Sequence, residues 1–141
     1  MSLRLAPRQR ISIDITLAVV FVSGVAWLAL DAGEATSDVA RDWLRNDVRV
    51  HALAGLACIW LAGTLWLVHI RRAWHNHRNR VLGSATFSVL VALIATGYAL
   101  GYLGGETQRV WIARAHWIIG IAGAFIYLAH RWRGPRTRPP A

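Results

Sequence analysis

The sequence predicts an all-α membrane protein, four transmembrane helices in an up-down-up-down bundle, and three observations carry that expectation. Four apolar runs, at about 11–30, 48–70, 84–103 and 110–130, each reach the ~20 residues an α-helix needs to cross a bilayer core. Charge is segregated from them: 55% of the 141 residues are hydrophobic and the mean hydropathy is +0.37, yet the formal net charge is +9. A soluble domain of this size would intersperse its charges, because so small a core cannot bury both faces of every element. Finally, the connections are short, so neighbouring helices run antiparallel and residues 1–141 form a single membrane domain.

The first run follows an arginine-bearing terminus, as a secretory signal does, but a signal's apolar core spans only about 7–15 residues and this one is longer, so it reads as a helix. Asp14 lies just inside it, either favouring the helix dipole or handling protons at the inner surface. Next comes DAGEATSDVARDWLRND, the longest connection, whose alanines and spaced charges suit a short interfacial helix. The second run, with one histidine at each end, holds the lone cysteine, Cys58, which excludes an internal disulfide. Gly97 and Gly101 form GxxxG in the third run, a surface for close helix packing. Beyond the fourth run, the basic tail 131–141 is rich in arginine and proline and is expected to be disordered or to lie on headgroups. Trp43, Trp74, Trp111 and Trp132 fall near the run boundaries, where indole rings anchor helices at the membrane surface.

The basic charge reports topology. Arg4, Arg8 and Arg10 precede the first run, Arg71, Arg72, Arg78 and Arg80 follow the second, and Arg131, Arg133, Arg136 and Arg138 follow the fourth. Acids such as Asp38, Asp42, Asp47 and Glu106 sit in the other two connections. The positive-inside rule then makes both termini and the middle connection cytoplasmic in a multi-pass protein of the bacterial inner membrane. No basic helix or patch suits nucleic acid, and the default partner is the lipid bilayer.

The histidines carry the functional expectation. His51 and His69 are 18 residues apart, about five whole turns of a regular helix, so both rings share one side of the second run. His116 and His130 are 14 residues apart, about 40° short of four turns, so the fourth run does the same. With both runs passing inward, His51 and His116 lie near the outer surface and His69 and His130 near the inner one. Two imidazoles facing each other from different helices clamp a haem iron at both axial positions. Gly55, Gly120 and Gly123, on the histidine faces, let a porphyrin plate approach the backbone or let the helices pack closely. Arg71, Arg114 and Arg131, with Arg72 and Arg109, can pair with haem propionates through forked hydrogen bonds, or simply signal topology and meet lipid. His75 and His77 lie among arginines past the helix end and are expected to be solvated. One mismatch stands: the two pairs span about 27 Å and about 21 Å along their helices, so tilt must absorb roughly 3 Å at each end.

HALAG opening the second run, LVHIRRAW closing it, ATGYALGY in the third, and RAHWIIGIAG and LAHRWRG bracketing the fourth resemble the small four-helix bacterial di-haem membrane cytochromes b, including those associated with flavinylated electron-transfer proteins. The resemblance covers most of the chain from about residue 11 to residue 134. It implies two non-covalent b haems, His51 with His116 and His69 with His130, carrying electrons across the membrane as a subunit rather than as a stand-alone enzyme. A quinone pool or a flavoprotein would be the redox partner. No CxxCH occurs, which excludes covalent c-type attachment. Two other functions fit the same residues: a quinone- or superoxide-linked membrane oxidoreductase, with Asp14 and the HNH segment moving protons, and a haem-free packing or transport subunit whose histidines line a wet crevice.

Overall fold

The computed structural model describes residues 5–32, 37–75 and 80–133, where all regular structure is helical. The order is α1 (Pro7–Ala32), α2 (Asp38–Leu65), a π-helical turn (Trp66–Ile70), α3 (Arg71–His75), α4 (Arg80–Tyr102) and α5 (Glu106–Arg133). α1, α2, α4 and α5 are each long and apolar enough to cross a membrane, with mean hydropathies of 2.2, 1.5, 1.8 and 1.5 in their most apolar windows. Arg4, Glu34, His77, Arg78 and the tail from residue 134 onward lie outside the described residues.

Local chemistry sets the helix ends. Pro7 opens α1, where its missing N–H costs nothing and its φ is already helical. Ser37 caps α2, its Oγ accepting from the Ala40 N–H at 3.2 Å, and Asp38 and Glu106 place negative charge in the first turns of α2 and α5. α4 ends at Tyr102 and α5 starts at Glu106, and between them Gly105 leaves room for the Gln108 side chain, whose Oε1 would lie 3.1 Å from a Cβ there. At the junction of α3 and α4, Arg80 donates from Nε and Nη2 to the Trp74 carbonyl at 2.9 and 2.8 Å and lies over the Trp74 ring at 5.2 Å, tying the start of α4 to the end of α3.

The chain divides into two compact units, residues 1–69 and 70–141. In the first, α1 packs antiparallel on α2; in the second, α4 packs antiparallel on α5. Among the described residues no apolar side chain is fully buried, and large ones stand outward, among them Val81 (81% exposed), Trp60 (69%) and Phe125 (69%). A water-soluble protein does not present such a surface; helices surrounded by hydrocarbon, with every backbone polar group bonded internally, do. Trp43, Trp74, Trp111 and Trp132 are all exposed, as boundary anchors require.

Two details differ from what regular periodicity suggests. The segment read as a separate interfacial helix is instead continuous with α2 from Asp38 onward, because its alanines and its Asp38–Arg41 (3.2 Å) and Asp42–Arg45 ion pairs extend the helix without a breaker. The second difference is the π-turn, WLVHI, which contains His69. A π-turn acts as one inserted residue, so His69 is rotated by about 100°, and brought about 1.5 Å nearer His51, relative to an unbroken α-helix.

Candidate functional site: two histidine cradles

His51 sits in the third turn of α2 and its ring lies against α1. Its Nδ1 is 2.9 Å from Ser23 Oγ, and Ser23 is the buried polar residue of the described chain, at 5% exposure. Gly24 makes the approach possible: a Cβ there would lie 3.3 Å from His51 Cε1. The proton positions follow from the oxygens. Ser23 Oγ also lies 2.7 Å from the Val19 carbonyl, and two oxygens at that distance need a proton between them, so the hydroxyl donates to Val19. Nδ1 of His51 is therefore the donor to Ser23, and Nε2 is the ring nitrogen that keeps its lone pair.

The second unit repeats this arrangement. His116 of α5 places Nδ1 2.8 Å from Thr96 Oγ1 on α4, and Thr96 Oγ1 donates to the Ala92 carbonyl at 2.8 Å. Gly97 follows Thr96 as Gly24 follows Ser23, and a Cβ on it would lie 3.4 Å from His116 Cε1. The same reasoning leaves the lone pair on Nε2 of His116. Each cradle is thus a hydroxyl residue and a glycine on one helix, receiving the histidine of an HxxxG segment on the next.

His69 and His130 are placed differently. His130 packs toward Gly83 of α4, where a Cβ would meet Cε1 at 3.8 Å. Gly83 and Gly97 are separated by the same 14 residues as His130 and His116, so the antiparallel register matches a glycine to each ring of α5. Both rings of α5 therefore share a face, as their spacing predicts. His69 lies in the π-turn, with its Nδ1 shielded from solvent.

The glycines divide by environment. A Cβ on Gly55 would meet nothing within 4 Å, so the α2 surface one turn C-terminal to His51 is open. Gly120 would touch Leu93 at 3.9 Å, ordinary contact, whereas a Cβ on Gly123 would come 2.7 Å from Val89 Cγ1, which makes Gly123 a contact point of α4 with α5. Of the arginines, Arg114 stacks over Trp111 at 5.2 Å, Arg71 is exposed and Arg131 is half-buried.

Sequence reasoning missed three groups. For Ser23 and Thr96 the sequence holds one weak signal, a serine or threonine preceding glycine in one helix with HxxxG in the next, which occurs twice but does not say that a ring meets the hydroxyl. Asp47, one turn N-terminal to His51, has Oδ2 shielded from solvent with no hydrogen-bond partner among the described residues. A cleft of about 350 Å³ between the C-terminal part of α1 and the N-terminal part of α2 is lined by Trp27, Leu44, Arg45, Val48 and Arg49, one turn beyond the Ser23–His51 contact. Among the described residues no group of three or more His, Cys, Asp or Glu side chains gathers as a metal cage. Comparison with protein-family models, with curated proteins and with solved structures finds no match for this chain.

Proposed function

We propose that the chain is a transmembrane b-type cytochrome of the bacterial inner membrane, in which α1, α2, α4 and α5 form an up-down-up-down bundle and two non-covalent haems bind between α2 and α5. His51 and His116 would hold the outer haem, and His69 and His130 the inner one. The observation that carries this reading is the repeated cradle: in each unit one histidine is held at Nδ1 by a hydroxyl already committed to a carbonyl, so Nε2 is the donor nitrogen. That donor set suits the group. A porphyrin supplies four nitrogens of its own, so two neutral imidazoles complete the iron and no cage of three protein ligands is needed. When bound, haem supplies one-electron chemistry at an iron whose axial positions are both taken, which suits a carrier better than a catalyst.

The chain's residues would hold and insulate the group. The open surface at Gly55 admits a flat ring edge beside α2. Arg114 on the outer side, and Arg71 and Arg131 on the inner, supply guanidinium forks for propionates, and Arg49 in the outer cleft adds a further one. The π-turn shortens the His51 to His69 span to about 25.5 Å against about 21 Å in α5, and it also turns His69 about 100° off the face of His51, so the inner pair would have to form beside a different face of α2 from the outer one. Electrons would pass between a quinone pool or flavoprotein and an acceptor on the far side.

The test is haem stoichiometry on detergent-purified protein. The expected result is a b-type reduced-minus-oxidised spectrum with two haems per chain, falling to one in His51→Ala and to one in His69→Ala. A colourless protein would sink the reading in favour of a packing or transport subunit. Asp47 favours one variant of the proposal, a quinone-linked oxidoreductase, because a shielded carboxylate one turn from an outer ligand can accept a quinol proton. Quinol oxidation by the purified protein alone, lost in Asp47→Asn, would select it.

A further inference from the structure

We infer that Ser23 and Thr96 are positioning residues for the outer haem: by accepting the Nδ1 proton of His51 and of His116, they fix both rings in the tautomer whose donor atom is Nε2 and make that nitrogen more basic. The inference rests on the ligation proposed above and adds to it the residues that set the ligand's state.

The argument begins with proton supply. A serine or threonine hydroxyl has one proton and two lone pairs. In a helix interior it normally turns that proton back on the carbonyl one turn earlier, as Ser12, Thr64 and Thr86 do here. Among the described residues those three make no further side-chain hydrogen bond. Ser23 and Thr96 do the same and in addition each meets an imidazole nitrogen, at 2.9 and 2.8 Å, with an acceptor lone pair. The helix carbonyl thus fixes the polarity of the contact: the hydroxyl cannot donate to Nδ1 while its proton is held by Val19 or Ala92. Free imidazole side chains in water favour the opposite tautomer, with the proton on Nε2, which cannot ligate iron. Serine buried beside glycine reverses that preference, because an unprotonated Nδ1 would face the hydroxyl oxygen lone pair to lone pair with little water to intervene.

Geometry adds a second constraint. Gly24 and Gly97 bring each ring edge to within 3.3–3.4 Å of where a Cβ would stand, so the imidazole is confined between a hydrogen bond and a helix surface. Outer partners of ligating histidines raise ligand basicity and orient the ring. A more basic ligand stabilises ferric over ferrous iron, so the pair of hydroxyls lowers the outer haem's potential.

The experiment compares Ser23→Ala, Thr96→Val, Ser23→Thr and Thr96→Ser with the wild type, full length in detergent. In haem-free protein with ¹⁵N-labelled histidine, His51 and His116, assigned from His51→Ala and His116→Ala, should show Nδ1 protonated. Ser23→Ala should move His51, and Thr96→Val His116, toward the Nε2-protonated form. In the loaded protein both hydroxyl-less variants should raise the midpoint potential of one haem and leave the other unchanged. Haem affinity at that site should fall by about ten- to a hundredfold. Ser23→Thr and Thr96→Ser, which keep the hydroxyl, should behave as the wild type. If Thr96→Val does not accumulate, the Ser23→Ala comparison decides alone. Wild-type protein that takes up no haem defeats the ligation reading. Loaded wild type whose tautomers and potentials survive Ser23→Ala and Thr96→Val defeats the positioning role only.

Discussion

Glycines in this chain have three different surroundings, and the difference makes them a probe of what lies beside α2. At Gly123 the added methyl of an alanine would meet Val89 Cγ1 at 2.7 Å, and valine, branched at Cβ, has little room to turn aside. Overpacking of that kind costs about 1–3 kcal/mol, offset by about 1 kcal/mol of helix propensity. Gly123→Ala should therefore lower the unfolding temperature of the detergent-solubilised protein. At Gly55 the same change meets nothing in the chain and gains the propensity alone. If a haem edge rests there, Gly55→Ala gives a protein at least as heat-stable as the wild type in its haem-free form, yet deficient in the outer haem. Normal haem content in a stable Gly55→Ala protein would remove Gly55 from the site. Stability alone cannot give that answer, so both measurements belong on the same samples.

At the scale of elements, four helices were legible because a stretch of about 20 apolar residues has no other way to satisfy its backbone in lipid. Both rings of α5 were legible as one face because α5 is unbroken from Glu106 to Arg133. The π-turn was not: WLVHI carries no proline or glycine, and nothing in its composition departs from α-helix. The hydroxyl partners were hidden for a related reason, since a helical serine or threonine normally satisfies itself on its own helix and only tertiary register brings a ring to it. The turn has a testable consequence. Because a π-turn amounts to one extra residue, deleting Val68 should restore a continuous α-helix while leaving the histidine where it now stands in space. Inserting an alanine after Val68 should instead rotate it by about 100°. The deletion variant is expected to keep two haems per chain. The insertion variant should retain the outer haem and lose the inner, visible as half the absorbance change with the outer potential preserved.

For the molecule as a whole, the proposed ligands are distributed so that neither unit is sufficient. His51 and His69 belong to residues 1–69, His116 and His130 to residues 70–141, and each haem would take one imidazole from each. The two units carry the same cradle in the same order, hydroxyl, glycine, then HxxxG on the following helix, and under the proposed ligation each would offer half of a bis-histidine site rather than a site of its own. A single axial imidazole leaves iron five-coordinate and high-spin, whereas two make it low-spin, and the absorption spectrum separates these states. The connection between His75 and Arg80 is the place to divide the chain, because the cut spares α2, α4 and every proposed ligand. Produced separately, fragments 1–77 and 78–141 should each bind haem weakly or not at all and show no low-spin signature. Produced together in one membrane they should recover low-spin haem, at reduced yield, since a second chain must now be found by lateral diffusion. Low-spin haem at full occupancy in either fragment alone would mean that the ligands pair within a unit or between copies of it, and the assignment of His51 with His116 and His69 with His130 would then fail.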